Sequence, residues 1–182
     1  IFDGESPCPG GWTETDVPNP VSYYGETKVQ AEFRLLDSPG DILILRPRMP
    51  IDGKPNPRNT ITKIAGYPSV INVPNSVTVV DDLLYTTKEL IGQRRTGIYN
   101  VVNPGPVRHE DILTAYREIV DPSHSCEFIT LEQFYERKVT IARRSNCVLN
   151  TVKLTDAGIK LPDAPEAIRN CLREYAKAVG RS

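Results

Sequence analysis

The sequence predicts an α/β chain built on a parallel sheet, and three observations carry that expectation. Segments of strand-like composition alternate with segments of helical periodicity. The run Ile42-Leu43-Ile44-Leu45 is continuously apolar, the pattern of a strand buried on both faces as in parallel sheets. Ile1-Phe2 passes at once into the turn-rich Asp3-Gly4-Glu5-Ser6-Pro7, as the last two residues of a further strand would. A doubly wound parallel sheet needs more strands than these 182 residues display. The expectation is therefore the C-terminal part of such a sheet plus a small additional region, with the other half supplied before Ile1.

Each element follows from local chemistry. Residues 3–21 are rich in Gly and Pro and read as a long loop. Ser22 is a natural N-cap for a helix to about Asp37, with Val29, Phe33 and Leu36 on one apolar face. Ser38-Pro39-Gly40 stops it, and the apolar strand at 41–46 follows. A Pro-rich loop at 47–57 leads to a short helix at 58–65. Residues 70–73 and 77–80 are strand-like, and Asp81 or Asp82 is positioned to cap a helix ending near Gln93. Residues 97–102 form another strand candidate, followed by the turn Asn103-Pro104-Gly105-Pro106. A helix at 108–120 carries Ile112, Leu113, Tyr116 and Ile119 on one side, and 125–129 extend briefly. The tail at 165–179 is an amphipathic helix with Ile168, Leu172, Tyr175 and Val179 inward.

Composition narrows the class. Hydrophobic residues make up 39% and charged residues 25%, enough to bury a core. The net charge of −1 lacks the broad positive field of a non-specific nucleic-acid binder or a polybasic membrane-surface protein. No apolar run nears the ~20 residues of a spanning helix, and no secretory signal opens the chain. Cys8, Cys126, Cys147 and Cys171 show no C-x-x-C spacing and only His109 and His124 accompany them, so no metal site is expected. Scattered reduced thiols fit a cytoplasmic protein. His109 reads as a surface residue in a first helical turn, and Glu132, Glu136 and Arg137 as a solvated face.

The residues able to do chemistry fall into three groups. Tyr24 and Lys28 lie four apart on the first helix, hence on one face. A neighbouring ammonium favours the phenolate of a tyrosine, which suits it to hand a proton to an alkoxide as hydride reaches a carbonyl carbon. The same ammonium can hydrogen-bond the ribose of a nicotinamide cofactor. By spacing alone the pair also fits an exposed i,i+4 contact. Arg46-Pro47-Arg48-Met49-Pro50 and Asn56-Pro57-Arg58-Asn59-Thr60-Ile61-Thr62-Lys63 leave the carboxyl end of a strand, where open α/β sheets bind ligands. Their cations suit a phosphorylated substrate, and equally a charged surface loop. Arg143-Arg144-Ser145-Asn146 is a third basic and polar cluster suited to a diphosphate or to solvent. No glycine fingerprint for a dinucleotide occurs in the chain, so redox chemistry would need a phosphate cradle located before Ile1.

Together these segments resemble the extended short-chain dehydrogenase/reductase superfamily, entered past its middle. Ser22-Tyr23-Tyr24-Gly25-Glu26-Thr27-Lys28 is similar to its Tyr-x-x-x-Lys helix. The closer resemblance is to the nucleotide-rhamnose synthase/epimerase-reductase family. It rests on Leu45-Arg46-Pro47-Arg48-Met49-Pro50-Ile51, Asn56-Pro57-Arg58-Asn59, Ile61-Thr62-Lys63-Ile64, Asn72-Val73-Pro74-Asn75-Ser76-Val77-Thr78-Val79, Asn103-Pro104-Gly105, and Ala142-Arg143 with Ser145-Asn146. The bacterial dTDP-4-dehydrorhamnose reductases look like more distant relatives.

The resemblance implies one region, 1–182, forming the C-terminal part of a Rossmann-type domain with a small substrate-binding region and lacking the dinucleotide-binding half. It implies NADPH (or NADH) and a nucleotide-bound 4-keto-6-deoxyglucose made by a separate 4,6-dehydratase. Epimerisation at C3 and C5 and reduction at C4 would then yield a nucleotide-bound L-rhamnose. Tyr24, Lys28 and Lys63 would be catalytic, with Tyr24, Lys28 and Arg46 at the cofactor and Arg48, Asn59, Arg143 and Asn146 at the substrate. The choice between UDP and dTDP stays open, as does a homodimer. The alternative is a non-catalytic scaffold on the same fold, resembling the β subunit of methionine adenosyltransferase. Tyr24, Lys28 and Lys63 together favour catalysis, because a scaffold needs none of them.

Overall fold

A computed structural model describes residues 1–4, 6, 9–137 and 145–181. Helix α1 (Tyr23–Leu36) begins where Ser22 Oγ accepts the Gly25 N–H at 3.2 Å, and it ends at Asp37. Strand β1 (Leu43–Arg46) pairs in parallel with β5 (Gly97–Asn100), Leu43 opposite Gly97 and Arg46 opposite Asn100. That is the parallel pairing the apolar run predicts, but the strand is less buried than expected: only Arg46 is fully buried. The apolar face expected of α1 is likewise uncovered. Phe33 is 52% and Leu36 44% exposed, while the buried residues are Gly25 and Glu32. Among the described residues, neither side chain joins a core cluster.

Between β1 and β5 the chain runs through five further elements. They are β2 (Pro50–Ile51), α2 (Thr60–Ala65), β3 (Ser69–Ile71), β4 (Asn75–Val79) and α3 (Val80–Gly92). After β5 come β6 (Asn103–Val107), α4 (His109–Ile119), β7 (Glu127–Ile129), α5 (Leu131–Glu136), α6 (Val152–Asp156) and α7 (Ala164–Ala178). Strand β4 is central, parallel to β2 on one side and antiparallel to β6 on the other, and all five of its residues are buried. Strand β3 pairs in parallel with β7.

Two expectations are corrected here. The segment Asn103-Pro104-Gly105-Pro106 is not a free turn but most of β6, and its prolines are tolerated because β6 is an edge strand. Asp81 and Asp82 do not cap α3. Val79 holds the N-cap position and the two carboxylates sit in the first turn, where the helix dipole favours them. Asp82 there accepts the Asn103 Nδ2–H at 2.6 Å.

The main core lies between β4, β6, α4 and α7. Asp163 Oδ1 caps α7 through the Glu166 N–H, and Pro165 sets its first turn. Ala164, Ala167, Ile168, Cys171, Leu172, Tyr175 and Ala176 then recur at 3–4-residue steps as one buried stripe against Val77, Val79 and Val107. Each fully buried Ile or Leu in such a stripe contributes about 1.5–3 kcal/mol. Val179, expected inward, is the C-cap residue and is 40% exposed. No described helix is long and apolar enough to cross a membrane.

The loop after Ile1-Phe2 is pinned rather than loose. Residues 145–150 lie between it and β4. On one side the Trp12 N–H donates to Val148 O and the Asn150 N–H to Trp12 O, both at 2.8 Å. On the other, the Ser76 N–H donates to Cys147 O at 3.0 Å and the Leu149 N–H to Ser76 Oγ at 2.9 Å. The Trp12 ring stacks on Phe2 with centroids 4.8 Å apart. Gly11 makes the close approach possible: its φ is +106°, and an added Cβ would lie 2.6 Å from Val148 O.

Two measurements test this packing. Gly11→Ala should cost about 1–3 kcal/mol or more in chemical denaturation, and an unchanged midpoint would remove the clamp. Among the described cysteines, burial pushes the Cys171 thiol up to about 12, with Asp52, Asp81 and Asp82 adding to it, and burial raises Cys147 too. Cys126 is only half-buried, its thiol raised by burial and then by Glu127. A thiol-alkylating reagent near neutral pH should therefore modify Cys126 well before Cys147 or Cys171. Mass spectrometry showing the reverse order would contradict this burial.

Candidate active site

The structure places Tyr24 and Lys28 on the same face of α1, one turn apart. Lys28 Nζ lies 5.3 Å from the centre of the Tyr24 ring, a cation–π distance. Both side chains are exposed, Tyr24 by 71%. The helix start that presents them is tightly fixed: an added Cβ on Gly25 would come within 3.0 Å of Pro20 Cβ, and Thr27 Oγ1 donates to Tyr24 O at 2.8 Å.

Arg46, expected at the cofactor, is drawn into a buried pair, with its Nη1 left without a partner among the described residues. It is 7% exposed and directed into the chain, where its Nε and Nη2 donate to Glu32 Oε2 and Oε1 at 2.9 and 2.5 Å. Its guanidinium lies over the Phe2 ring, 5.1 Å from the centroid. The charge is spent on a bidentate pair that ties α1 to β1. Asn59, expected at the substrate, is engaged within the chain as well. It is 5% exposed and caps α2, Oδ1 accepting the Ile61 N–H at 3.0 Å while Nδ2 donates to Asp52 O and Lys54 O at 2.6 and 3.0 Å. An amide that closes a loop and starts a helix has no capacity left for a ligand.

Arg48 and Asn146, far apart in sequence, meet at a residue the sequence reading did not single out, Asn75. Arg48 Nε and Nη2 donate to Asn75 Oδ1 at 3.2 and 2.8 Å, and Nη2 donates to Ser145 O as well. Asn75 Nδ2 donates to Asn146 Oδ1 at 3.2 Å. The Asn146 N–H donates in turn to Asp3 Oδ1 at 3.0 Å, which links the cluster to the end of the Ile1-Phe2 segment. Arg48 is partly exposed and forms no salt bridge among the described residues. A signal for Asn75 was present: asparagine is depleted from strands, and here it opens a β-branched run. For Glu32 there was none, because its partner lies across a helix–strand contact.

Lys63 lies exposed in the last turn of α2, and among the described residues no hydrogen bond or ion pair connects it to Tyr24, Lys28 or Arg48. Arg143 lies outside the described residues. His109, read as a surface residue, is half-buried, with Nδ1 2.7 Å from Ile71 O. Two grooves, of about 590 and 310 Å³, run along α7, and none of the described candidate residues lines either.

Comparison with known proteins decides the family. The RmlD substrate binding domain matches residues 1–177. The chain belongs to this family. It is 45% identical over 146 residues to a bifunctional dTDP-4-dehydrorhamnose 3,5-epimerase/dTDP-4-dehydrorhamnose reductase of Arabidopsis thaliana, covering 79% of this chain and 48% of the relative. The chain thus spans about half the length of that relative. Its fold is similar to the L780 UDP-rhamnose synthase of Acanthamoeba polyphaga mimivirus, with a TM-score of 0.83 and 36% identity over 96% of this chain and 61% of that one. It also shares the fold of a Bacillus anthracis dTDP-4-dehydrorhamnose reductase crystallised with NADP, with a TM-score of 0.75, 19% identity and 96% and 62% of the two chains covered. The α/β architecture with parallel strand pairs is that of these reductases.

The two arginines should separate in denaturation experiments. Arg46→Ala, which strands Glu32 in a buried position, should cost about 3–5 kcal/mol, and the partly exposed Arg48→Ala clearly less. Equal losses would show that the Glu32–Arg46 pair is not what fastens α1.

Proposed function

We propose that this chain is the C-terminal, substrate-side part of a nucleotide-sugar epimerase/reductase. The reaction is conversion of a nucleotide-bound 4-keto-6-deoxyglucose to a nucleotide-bound L-rhamnose, by epimerisation at C3 and C5 followed by reduction at C4. The observation that carries the proposal is the Tyr24–Lys28 face, an ammonium 5.3 Å from a phenol ring, both exposed at the start of a well-capped helix. The uncovered apolar side of α1, with Phe33 and Leu36 exposed, supports a further segment packing there and carrying the glycine cradle that these residues lack.

Exposed phenol and ammonium groups one turn apart fit a nicotinamide riboside. NADPH, when bound, supplies the hydride. Lys28 would hold the cofactor through a hydrogen bond to a ribose hydroxyl, and it sets its charge beside the Tyr24 ring. Tyr24 Oη protonates the sugar O4 as the carbonyl is reduced. The 4-keto group acidifies the hydrogens at C3 and C5, and Lys63 exchanges those protons. Arg48, with Asn146 beside it, holds the diphosphate; its charge among amide and carbonyl partners supports that role. A 4,6-dehydratase must supply the keto sugar, because the substrate already lacks its 6-hydroxyl.

The test uses the full-length polypeptide with a nucleotide-bound 4-keto-6-deoxyglucose and NADPH. Tyr24→Phe should lower NADPH oxidation by about 10²-fold or more with circular dichroism unchanged; normal turnover would end the assignment. Lys63→Ala should abolish solvent deuterium incorporation at C3 and C5. If deuterium still enters both positions, Lys63 has no part in the epimerisation.

A further inference from the structure

We propose that Asn75 is a positioning residue for the nucleotide diphosphate: it aims the Arg48 guanidinium and fixes Asn146 beside it without neutralising the positive charge. This rests on the reading of Arg48 as the diphosphate-binding cation.

The argument begins with what converges on one side chain. Asn75 opens β4, is 2% exposed, and holds two segments that the sequence keeps far from it and from each other, the one at Arg48 and the one at Asn146-Cys147. Its Oδ1 receives Arg48 Nε at 3.2 Å, Arg48 Nη2 at 2.8 Å and the Cys147 N–H at 3.1 Å. All three partners are donors, so the atom facing them is the carbonyl oxygen, and the amide orientation follows from the network. The opposite end, Nδ2, donates to Asn146 Oδ1 at 3.2 Å and reaches Val73 O at 3.5 Å. One planar group thus sets the guanidinium plane, the path of the backbone at Cys147 and the amide of Asn146.

The choice of an amide has an electrostatic meaning that the neighbouring arginine makes plain. Arg46 is held by a carboxylate, and its charge is cancelled where it lies. Arg48 is held by an amide oxygen and by the Ser145 carbonyl, both neutral acceptors. A neutral acceptor fixes direction and leaves the full charge for an anion arriving from solvent. Aspartate would have nearly the same shape and the same acceptor atom. It would form an ion pair with Arg48 and lose the donor to Asn146. Among the described residues, the carboxylate of this network is Asp3, which receives the Asn146 backbone N–H and forms no salt bridge with Arg48.

The experiment is titration of the full-length polypeptide with UDP and dTDP by calorimetry, together with steady-state kinetics. Asn75→Asp should weaken nucleoside diphosphate binding about tenfold or more, and should raise KM for the nucleotide sugar more than it lowers kcat, with KM for NADPH unmoved. In an Arg48→Ala background the uncharged Asn75→Ser should cost clearly less than it does in the presence of Arg48. Losses that multiply instead would mark Asn75 as merely structural and overturn the proposal. Weakened binding in Arg48→Ala beside unchanged binding in Asn75→Asp overturns this proposal alone. Unchanged binding in Arg48→Ala overturns the diphosphate reading and this proposal with it. Should Asn75→Asp fail to fold, Asn75→Ser, which keeps an uncharged acceptor too short to reach the guanidinium, must show the same loss together with that dependence on Arg48.

Discussion

Glu32 reaches down from α1 to Arg46 at the end of β1, and the placement of Tyr24 and Lys28 follows from that contact. The helix buries only Gly25 and Glu32, so hydrophobic packing among the described residues does little to hold it. A bidentate carboxylate–guanidinium pair at 7% exposure on both sides supplies what packing does not. Such a pair is a directional fastener. Its two parallel hydrogen bonds fix rotation as well as distance, whereas an apolar contact tolerates sliding. The pair adds little to stability compared with a well-packed apolar contact, yet losing either partner leaves a buried charge alone. The guanidinium also lies over Phe2, so the end of the first segment, the helix and the strand share one joint.

A second theme is the use of buried carboxamides where strands are too short to satisfy one another. The sheets of this region have two or three strands each, and loops cross their ends. Asn59 closes the loop before α2, Asn75 gathers Arg48 and Asn146, and Asn103 accepts the Val79 N–H while donating to Asp82. Asn100 donates to Trp12 O and Asn150 O at the end of β5. An amide side chain offers a donor and an acceptor in one plane, as a peptide bond does, and so can substitute for a missing ladder partner. The same property links scaffold to candidate site: Asn75 does structural bonding on one side and sets up Arg48 on the other.

Arg46 and Arg48 show how close in sequence two different fates can lie. Both belong to one basic run, and both suit a phosphorylated ligand by residue type. Strand β1 ends at Arg46, and Met49 turns the chain with a φ of +43°. The first arginine, at the end of the strand, faces Glu32, and the second, past that end, faces neutral oxygens. Sequence proximity therefore says nothing about which of the two keeps its charge available.

What the sequence by itself determined is whatever depends on near neighbours. The Ser22 cap, the α1 register that sets Tyr24 over Lys28, the α7 stripe and the parallel-type strand at 43–46 all follow from periodicity and capping within a few residues. The resemblance carried by the longer motifs likewise pointed to the family that matches residues 1–177. What only the tertiary structure decided are the pairings across 14 to 97 residues: Glu32 with Arg46, Arg48 with Asn75 and Ser145, Asn75 with Asn146. It also turned a Pro-Gly-Pro segment into an edge strand and assigned Asn59 to a helix cap. The physical reason is that hydrogen-bonding capacity is a property of a residue, whereas the partner that uses it up is a property of the fold.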